Sequence, residues 1–180
     1  MSDVTNTKEN FSQIQNIMEK IGNDKILTEK FKSFSSLEER FKFTKEICNK
    51  FQINPLYSLE EFNKFEIFIS IMYEISLDNK LSEEFKKIDN LEKISEFLGT
   101  LIKNKNPSIE ISKKDIEAFL YSAVVSSDKN KVPADGLDSV AGGKGFSVDI
   151  GLGIYQQMGL FHSVGIDLGQ KIGSIIYKTK

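Results

Sequence analysis

The fold is decided by two stretches of equal length, IMEKIGNDKILTEKFKSFSSLEERFKF at residues 17–43 and IMYEISLDNKLSEEFKKIDNLEKISEF at residues 71–97. They align without a gap, so that position 17 matches position 71, and 11 of the 27 aligned positions are identical. A match of this extent within one chain indicates an internal duplication, and repeats of this size are usually stacked supersecondary units. The chain is therefore expected to contain two copies of one small fold.

The apolar residues of both copies follow helical spacing. They recur every three or four positions, as on the inner face of an amphipathic helix. The stripes comprise Phe11, Ile14, Ile17, Met18 and Ile21; Leu37, Phe41, Cys48 and Phe51; Leu59, Phe62, Phe65, Met72 and Ile75; and Ile116, Phe119, Leu120 and Val124. Each unit is predicted to contain a helix, a short helix and a longer helix, followed by a helix shared with what comes next.

Polar residues mark where these helices begin and end. Three pairs have the spacing of a capping box, in which each residue binds the backbone N–H of the other: Ser36 with Glu39, Ser58 with Glu61, and Ser112 with Asp115. Asn-Pro pairs at residues 54–55 and 106–107 stop helices, because a residue before proline avoids the α region.

The run IFISIMY at residues 67–73 is apolar on nearly every side. A buried strand has the same pattern as a buried helix. The flanking period is helical and the duplication places the run at a junction, so we predict a helix buried between the two units.

Bulk composition excludes several classes of protein. The chain has 180 residues, 39% of them hydrophobic, which suits one globular unit or two small ones. A net charge of −2 gives no basic field for nucleic acid. A single cysteine excludes an internal disulfide framework and a thiolate zinc cluster. The first residues do not form a secretory signal peptide, and no stretch has the roughly 18 apolar residues needed to span a bilayer. Synthesis and folding in the cytoplasm are expected.

Composition changes abruptly near residue 135. Ten of the 12 glycines follow it, and only Gly22 and Gly99 precede it. Between Lys144 and Lys180 four lysines and two aspartates give a charge of about +2, which leaves about −4 for the first 143 residues. The intervening SSDKNKVPADG, residues 126–136, is polar and typical of a linker. This change indicates a domain or processing boundary.

A double glycine, Gly142-Gly143, follows the linker. Such pairs most often end helices or form loops. Two residues without Cβ atoms can also lie flat in the narrow cleft of a papain-like peptidase. The large apolar residues upstream, Val140, Leu137 and Val132, are the fourth, seventh and twelfth residues counted back from Gly143. They would serve as the peptidase's recognition residues, with cleavage between Gly143 and Lys144.

LDSVAGG at the end of an acidic helical segment resembles the double-glycine leaders of bacterial secreted peptides. LTEKFKSFSSLEERFKFTKEI and NPLYSLEEF resemble the Nif-eleven leader-peptide family, over residues 11–65 and more weakly over the second copy. The resemblance implies a bacteriocin-like precursor that a peptidase-containing ABC exporter cleaves and secretes, with a peptide-modifying enzyme as a further partner. The chain departs from the family in having two units, and in having Lys129 where a fourth apolar anchor is common.

The residues after the double glycine permit two structures. Gly165, Gly169 and Gly173 form a small-xxx-small run that suits close helix packing in a target membrane. FSVDIGLGI, residues 146–154, instead alternates with a strand period. Glycine also disfavours helix in water by about 1 kcal/mol per residue. We expect a largely disordered tail that orders on a membrane or partner, and an inactive flexible tail is the alternative. Because the tail lacks cysteine, modification would fall on Ser147, Ser163, Ser174 or Thr179, and an unmodified peptide is equally compatible.

Catalytic chemistry is not expected. Cys48 lies on an apolar helical stripe, and His162 has no catalytic partner nearby in sequence. Glutamate pairs recur at predicted helix starts, where they suit the helix dipole. We therefore predict no enzyme and no cofactor or metal.

The sequence thus predicts an all-α fold, with two tandem small helical repeats followed by a largely disordered glycine-rich C-terminal tail. The first repeat spans 8–76 and the second 62–126, sharing a junction helix. Residues 127–143 are the linker and processing signal, and 144–180 the core peptide. A cytoplasmic helical adaptor with an inactive tail is the alternative function.

Overall fold

A computed structural model of the chain describes residues 2–128, and over that range it contains seven α-helices and no strand. They are α1 (Ser2–Gly22), α2 (Lys25–Ser33), α3 (Leu37–Lys50), α4 (Leu59–Leu77), α5 (Asn79–Lys87), α6 (Leu91–Lys105) and α7 (Lys113–Asp128). The all-α prediction is confirmed. The predicted linker beyond Asp128 and the glycine-rich region 144–180 lie outside the described residues, and the proposed division into four regions stays a prediction.

The helices repeat with the period of the sequence. The short helices α2 and α5 have the same length and begin at Lys25 and Asn79, which are equivalent positions of the two copies. The following helices, α3 and α6, also begin at equivalent positions, Leu37 and Leu91. α4 follows α3 and precedes α5, so the prediction of tandem helical repeats is confirmed.

Equivalent residues cap equivalent helices. Asp24 and its counterpart Asp78 each accept two backbone N–H bonds at the starts of α2 and α5. The three predicted capping pairs are all present, at the starts of α3, α4 and α7. In the second unit Asn90 takes the place of Ser36 and accepts from Lys93 N at 2.9 Å. Side-chain oxygens therefore satisfy the free N–H groups that a helix start leaves.

Three equivalent phenylalanines join the long helices. Phe11 of α1, Phe65 of α4 and Phe119 of α7 follow one another at the spacing of the duplication, and all three are buried. The ring centroids of Phe11 and Phe65 are 6.1 Å apart, and those of Phe65 and Phe119 are 5.5 Å apart. Phe68 stacks on Phe119 at 4.7 Å and meets Phe11 at 6.0 Å. The duplication thus brings its equivalent helices together at one shared aromatic core.

The apolar run of residues 67–73 is helical, as predicted, and forms the middle of α4. Its Ile67, Phe68, Ile69, Ile71 and Met72 are all buried. α4 contacts α1 of the first unit as well as α5 and α6 of the second. A helix covered on most sides needs apolar residues on most sides, which explains why this run has no polar face.

The predicted inner stripe of α3 is partly wrong. Its buried residues are Phe43, Thr44, Ile47 and Cys48, whereas Phe51 is 43% exposed. The predicted Leu37 and Phe41 are partly buried and pack against the core, and Phe43, which the stripe omitted, packs against it as well. Phe51 lies beyond the last helical residue, Lys50, where the chain turns away.

Candidate functional site

All predicted processing and packing residues lie outside the described part of the chain. They are Gly142, Gly143 and Lys144 at the cleavage position, Val132, Leu137 and Val140 upstream, and Gly165, Gly169 and Gly173 downstream. α7 ends at Asp128, so the segment 129–143 separates the last described helix from the cleavage position. These roles stay predictions, and the described helices are the part whose surface chemistry can be compared with them.

Among residues 2–128, no group of three or more His, Cys, Asp or Glu side chains is placed to hold a metal ion. No helix in this range is long and apolar enough to cross a bilayer.

Cys48 is buried in the core, as expected. Its Sγ lies 3.5 Å from the hydroxyl of Tyr57, which is also buried. Burial, together with this contact, raises the pKa of the Tyr57 hydroxyl, so the phenol keeps its proton in the folded protein. The pair fixes Tyr57 in the loop between α3 and α4 and supplies no exposed nucleophile.

A polar cleft of about 400 Å³ lies where α4 and α7 begin, lined among others by Glu60, Lys64 and Asp115. Lys64 Nζ lies 3.0 Å from Glu60 Oε1 and 3.3 Å from Asp115 Oδ2, and the Lys64 and Asp115 side chains are each 14% exposed. Burial lowers the pKa of Lys64, but its hydrogen bonds and charge pairing outweigh burial, so the pKa lies above its ordinary value. Lys64 is therefore a paired cation.

The cleft is part of the repeat. In the first unit Asn10 Nδ2 donates to Glu61 Oε1 at 2.7 Å. Asn10 is the counterpart of Lys64 in the duplication, and Glu61 is the counterpart of Asp115. The same contact thus joins α1 to α4 and α4 to α7. This repeated contact between neighbouring helices explains the polar residues of the cleft without a ligand.

The two units differ in their exposed apolar residues. Four large apolar side chains of the described chain are exposed, and the equivalent position of the other copy, given in parentheses, is polar in every case: Ile26 (Lys80), Phe51 (Lys105), Leu56 (Glu110) and Leu77 (Asn23). The repeat fold therefore accepts a polar residue at each position. The differences between the copies are visible in the sequence, but only the structure shows that these four side chains are exposed.

Phe51 and Leu56 belong to one surface beside α1. Leu56 N donates to Gln13 Oε1 at 2.7 Å, and Lys20 Nζ lies 4.5 Å from the Phe51 ring centroid. Gln13 and Lys20 are two helical turns apart and therefore lie on one face of α1. Lys50 Nζ lies 6.0 Å from the same centroid. We call Phe51, Leu56, Lys20 and Lys50 the loop patch.

The loop that carries this patch is firmly held. Lys45 Nζ donates to the carbonyl oxygens of Tyr57 at 2.6 Å and Pro55 at 3.4 Å, and it lies 4.2 Å from the Tyr57 ring centroid. Gln13 Nε2 donates to Asn54 O at 2.8 Å. Side chains from α1 and α3 thus fix the path of the loop from both sides.

Comparison with protein-family models, with curated proteins and with solved structures gave no match.

Proposed function

We propose that the protein is a precursor in which the helical repeat is a leader and the segment beginning at Lys144 is the secreted, bacteriocin-like cargo. The observation that carries the proposal is the double glycine at a sharp change of composition, with Val140, Leu137 and Val132 upstream of it. The folded helices support it, because the whole segment 129–143 separates the end of α7 from the bond to be cut. A peptidase cleft binds an extended substrate segment, and these 15 residues give the length for one.

In this proposal the precursor is cytoplasmic, and the peptidase domain of an ABC exporter cuts between Gly143 and Lys144. The repeat presents the segment to the exporter and to any peptide-modifying enzyme. The released peptide acts on a target membrane, where Gly165, Gly169 and Gly173 allow close helix packing. The protein itself performs no catalysis and binds no cofactor.

The test uses purified full-length protein and the isolated peptidase domain of an exporter of this class. Mass spectrometry should find a fragment that begins at Lys144. Gly143→Val should abolish cleavage, since its side chain cannot lie flat in the cleft, whereas Gly145→Ala is the matched control and should be cut normally. An uncut bond at Gly143 in the unchanged protein contradicts the proposal.

A cytoplasmic adaptor is the second candidate, and the exposed apolar side chains of the first unit favour it. Under this alternative Gly142→Ala and Gly143→Ala have no effect in cells, while Phe51→Lys removes binding of the partner. Cells carrying each variant, scored for a secreted fragment and for co-purifying protein, separate the two functions.

A further inference from the structure

The loop patch is a feature that the fold does not require. At the equivalent positions the second unit has Lys105 and Glu110 in place of Phe51 and Leu56. In the first unit these side chains are 43% and 53% exposed, so two large apolar groups face water within one short loop. Two such groups held on one loop form a candidate contact surface for another segment.

The groups that hold the loop are also specific to the first unit. Gln13 and Lys45 fix the loop through side-chain hydrogen bonds, and Ile53 fixes it through its backbone N–H. Their counterparts in the duplication are Ile67, Gly99 and Pro107. Ile67 has no side-chain amide, Gly99 has no side-chain ammonium and Pro107 has no backbone N–H. Phe51 and Leu56 are thus presented on a loop that only the first unit can fix in this way.

The chemistry of the patch specifies its occupant. Lys20 and Lys50 lie beside the Phe51 ring, so a complementary segment combines apolar side chains with carboxylates. Residues 134–143, ADGLDSVAGG, contain Leu137 and Val140 together with two aspartates, and they contain no lysine. The remaining residues beyond 143 carry more lysine than aspartate. Residues 145–170 also combine apolar side chains with two aspartates and no lysine, so both segments match, and 134–143 is the one nearer along the chain to the end of α7.

The chain is long enough for this contact. Residues 129–137 lead from the end of α7 to Leu137, and an extended stretch of this length spans up to about 30 Å. A folded unit the size of residues 2–128 has a radius of gyration of about 14 Å. The stretch 129–137 is thus about twice as long as this radius, a length on the scale of the folded unit itself.

We propose that the loop patch binds residues 134–143 of the same chain, with Leu137 and Val140 against Phe51 and Leu56, and the two aspartates beside Lys20 and Lys50. The contact is intramolecular and does not depend on cleavage. If the proposed function also holds, the first unit covers the recognition residues Leu137 and Val140, and an exporter must displace them before it cuts.

Hydrogen exchange of the full chain, read by mass spectrometry without any peptidase, tests the proposal. Amides in residues 134–143 should exchange about tenfold more slowly than in the free peptide, as expected from burial of about one medium apolar side chain. Phe51→Lys with Leu56→Glu should restore fast exchange. The introduced Lys and Glu are the residues that the second unit has at the equivalent positions, so the helix content measured by circular dichroism should be unchanged.

Two further variants make the test specific. Ile26→Lys with Leu77→Asn is the matched control, since it also borrows residues from the other unit, and it should leave the protection unchanged. Lys50→Glu changes one exposed charge and should weaken the protection even if the double variant folds poorly. The proposal is overturned if the unchanged protein shows no protection, or if the patch variants keep it.

Dilution distinguishes a second copy of the chain as the occupant. Intramolecular protection is independent of concentration, so protection that disappears on dilution also overturns the proposal. The result stands apart from the proposed function, because no step requires cleavage at Gly143.

Discussion

Gln52 carries the one positive φ among the non-glycine residues described, at 57°. It follows the C-terminus of α3, where Ile53 N donates to Cys48 O at 2.8 Å and Gln52 N donates to Asn49 O at 3.0 Å. These two bonds are those of a Schellman motif, whose left-handed residue is usually glycine. Gln52→Gly should therefore stabilise the protein, because it removes backbone strain at the turn.

The size of the effect follows from two opposing terms. The left-handed conformation costs a residue with a Cβ about 1–2 kcal/mol. Glycine offsets part of this gain by about 0.4–1 kcal/mol, because it increases the conformational freedom of the unfolded chain. The expected net gain in the free energy of unfolding is about 0.5–1 kcal/mol, which for a folded unit of this size is a rise in Tm of about 2–5 °C.

Urea unfolding followed by circular dichroism measures this change, and the second unit supplies the control. Asn106 is the counterpart of Gln52, but its φ is −128°. Asn106→Gly removes no strain and should destabilise the protein through the unfolded chain. If both variants shift stability in the same direction, or if Gln52→Gly lowers it, the assignment of strain to Gln52 is wrong.

Three other substitutions test the packing and the ionisation of the helices. Arg40 donates two hydrogen bonds to the carboxylate of Glu66, at 2.7 and 2.8 Å. Arg40→Lys cannot form both bonds and should lower the free energy of unfolding by about 1 kcal/mol. An unchanged midpoint of urea unfolding would contradict this. The pKa of Tyr57 is higher in the folded protein than in the unfolded chain, so above pH 10 the unfolded chain loses the phenol proton more readily than the folded protein. The stability that this proton contributes is present below pH 10 and falls as the pH rises. Between pH 10 and 11 the unchanged protein should lose about 1 kcal/mol more than Tyr57→Phe, with the difference between the two proteins at pH 7 as the reference. Gly99→Ala places a Cβ 3.5 Å from Ile116 Cδ1, an ordinary contact, so it should stabilise α6 by about 1 kcal/mol, and a lower Tm would show that the site is tighter than this.

Much of the fold could be predicted because local signals and the duplication agree. Capping pairs such as Ser58 with Glu61 depend on neighbours one helical turn apart, and the sequence contains both partners. The helical nature of residues 67–73 follows from the flanking period and from the position of the run between two copies. These signals are local or repeat at one fixed offset, so they need no knowledge of three-dimensional packing.

The rest depended on contacts between distant elements. The period of α3 did not show that Phe41 and Phe43 both pack against the core, since this depends on how many neighbouring elements surround the helix. The meeting of Phe11, Phe65 and Phe119 was implicit in their even spacing along the chain, but spacing alone does not bring three helices together. The processing residues are proposed from composition and register beyond Asp128, and the described helices add only their distance along the chain.

Differences between the copies explain why the first unit alone can present a fixed apolar loop. Pro107 has no N–H to close the motif that Ile53 closes, and it also restricts Asn106. The end of α6 therefore cannot form the turn that ends α3. Binding to a flexible loop costs the entropy of ordering it, whereas a loop already held by Gln13 and Lys45 avoids most of that cost. A short segment with only two apolar side chains gains little binding energy, so it needs such a preorganised surface, and among the two copies only the first unit provides it.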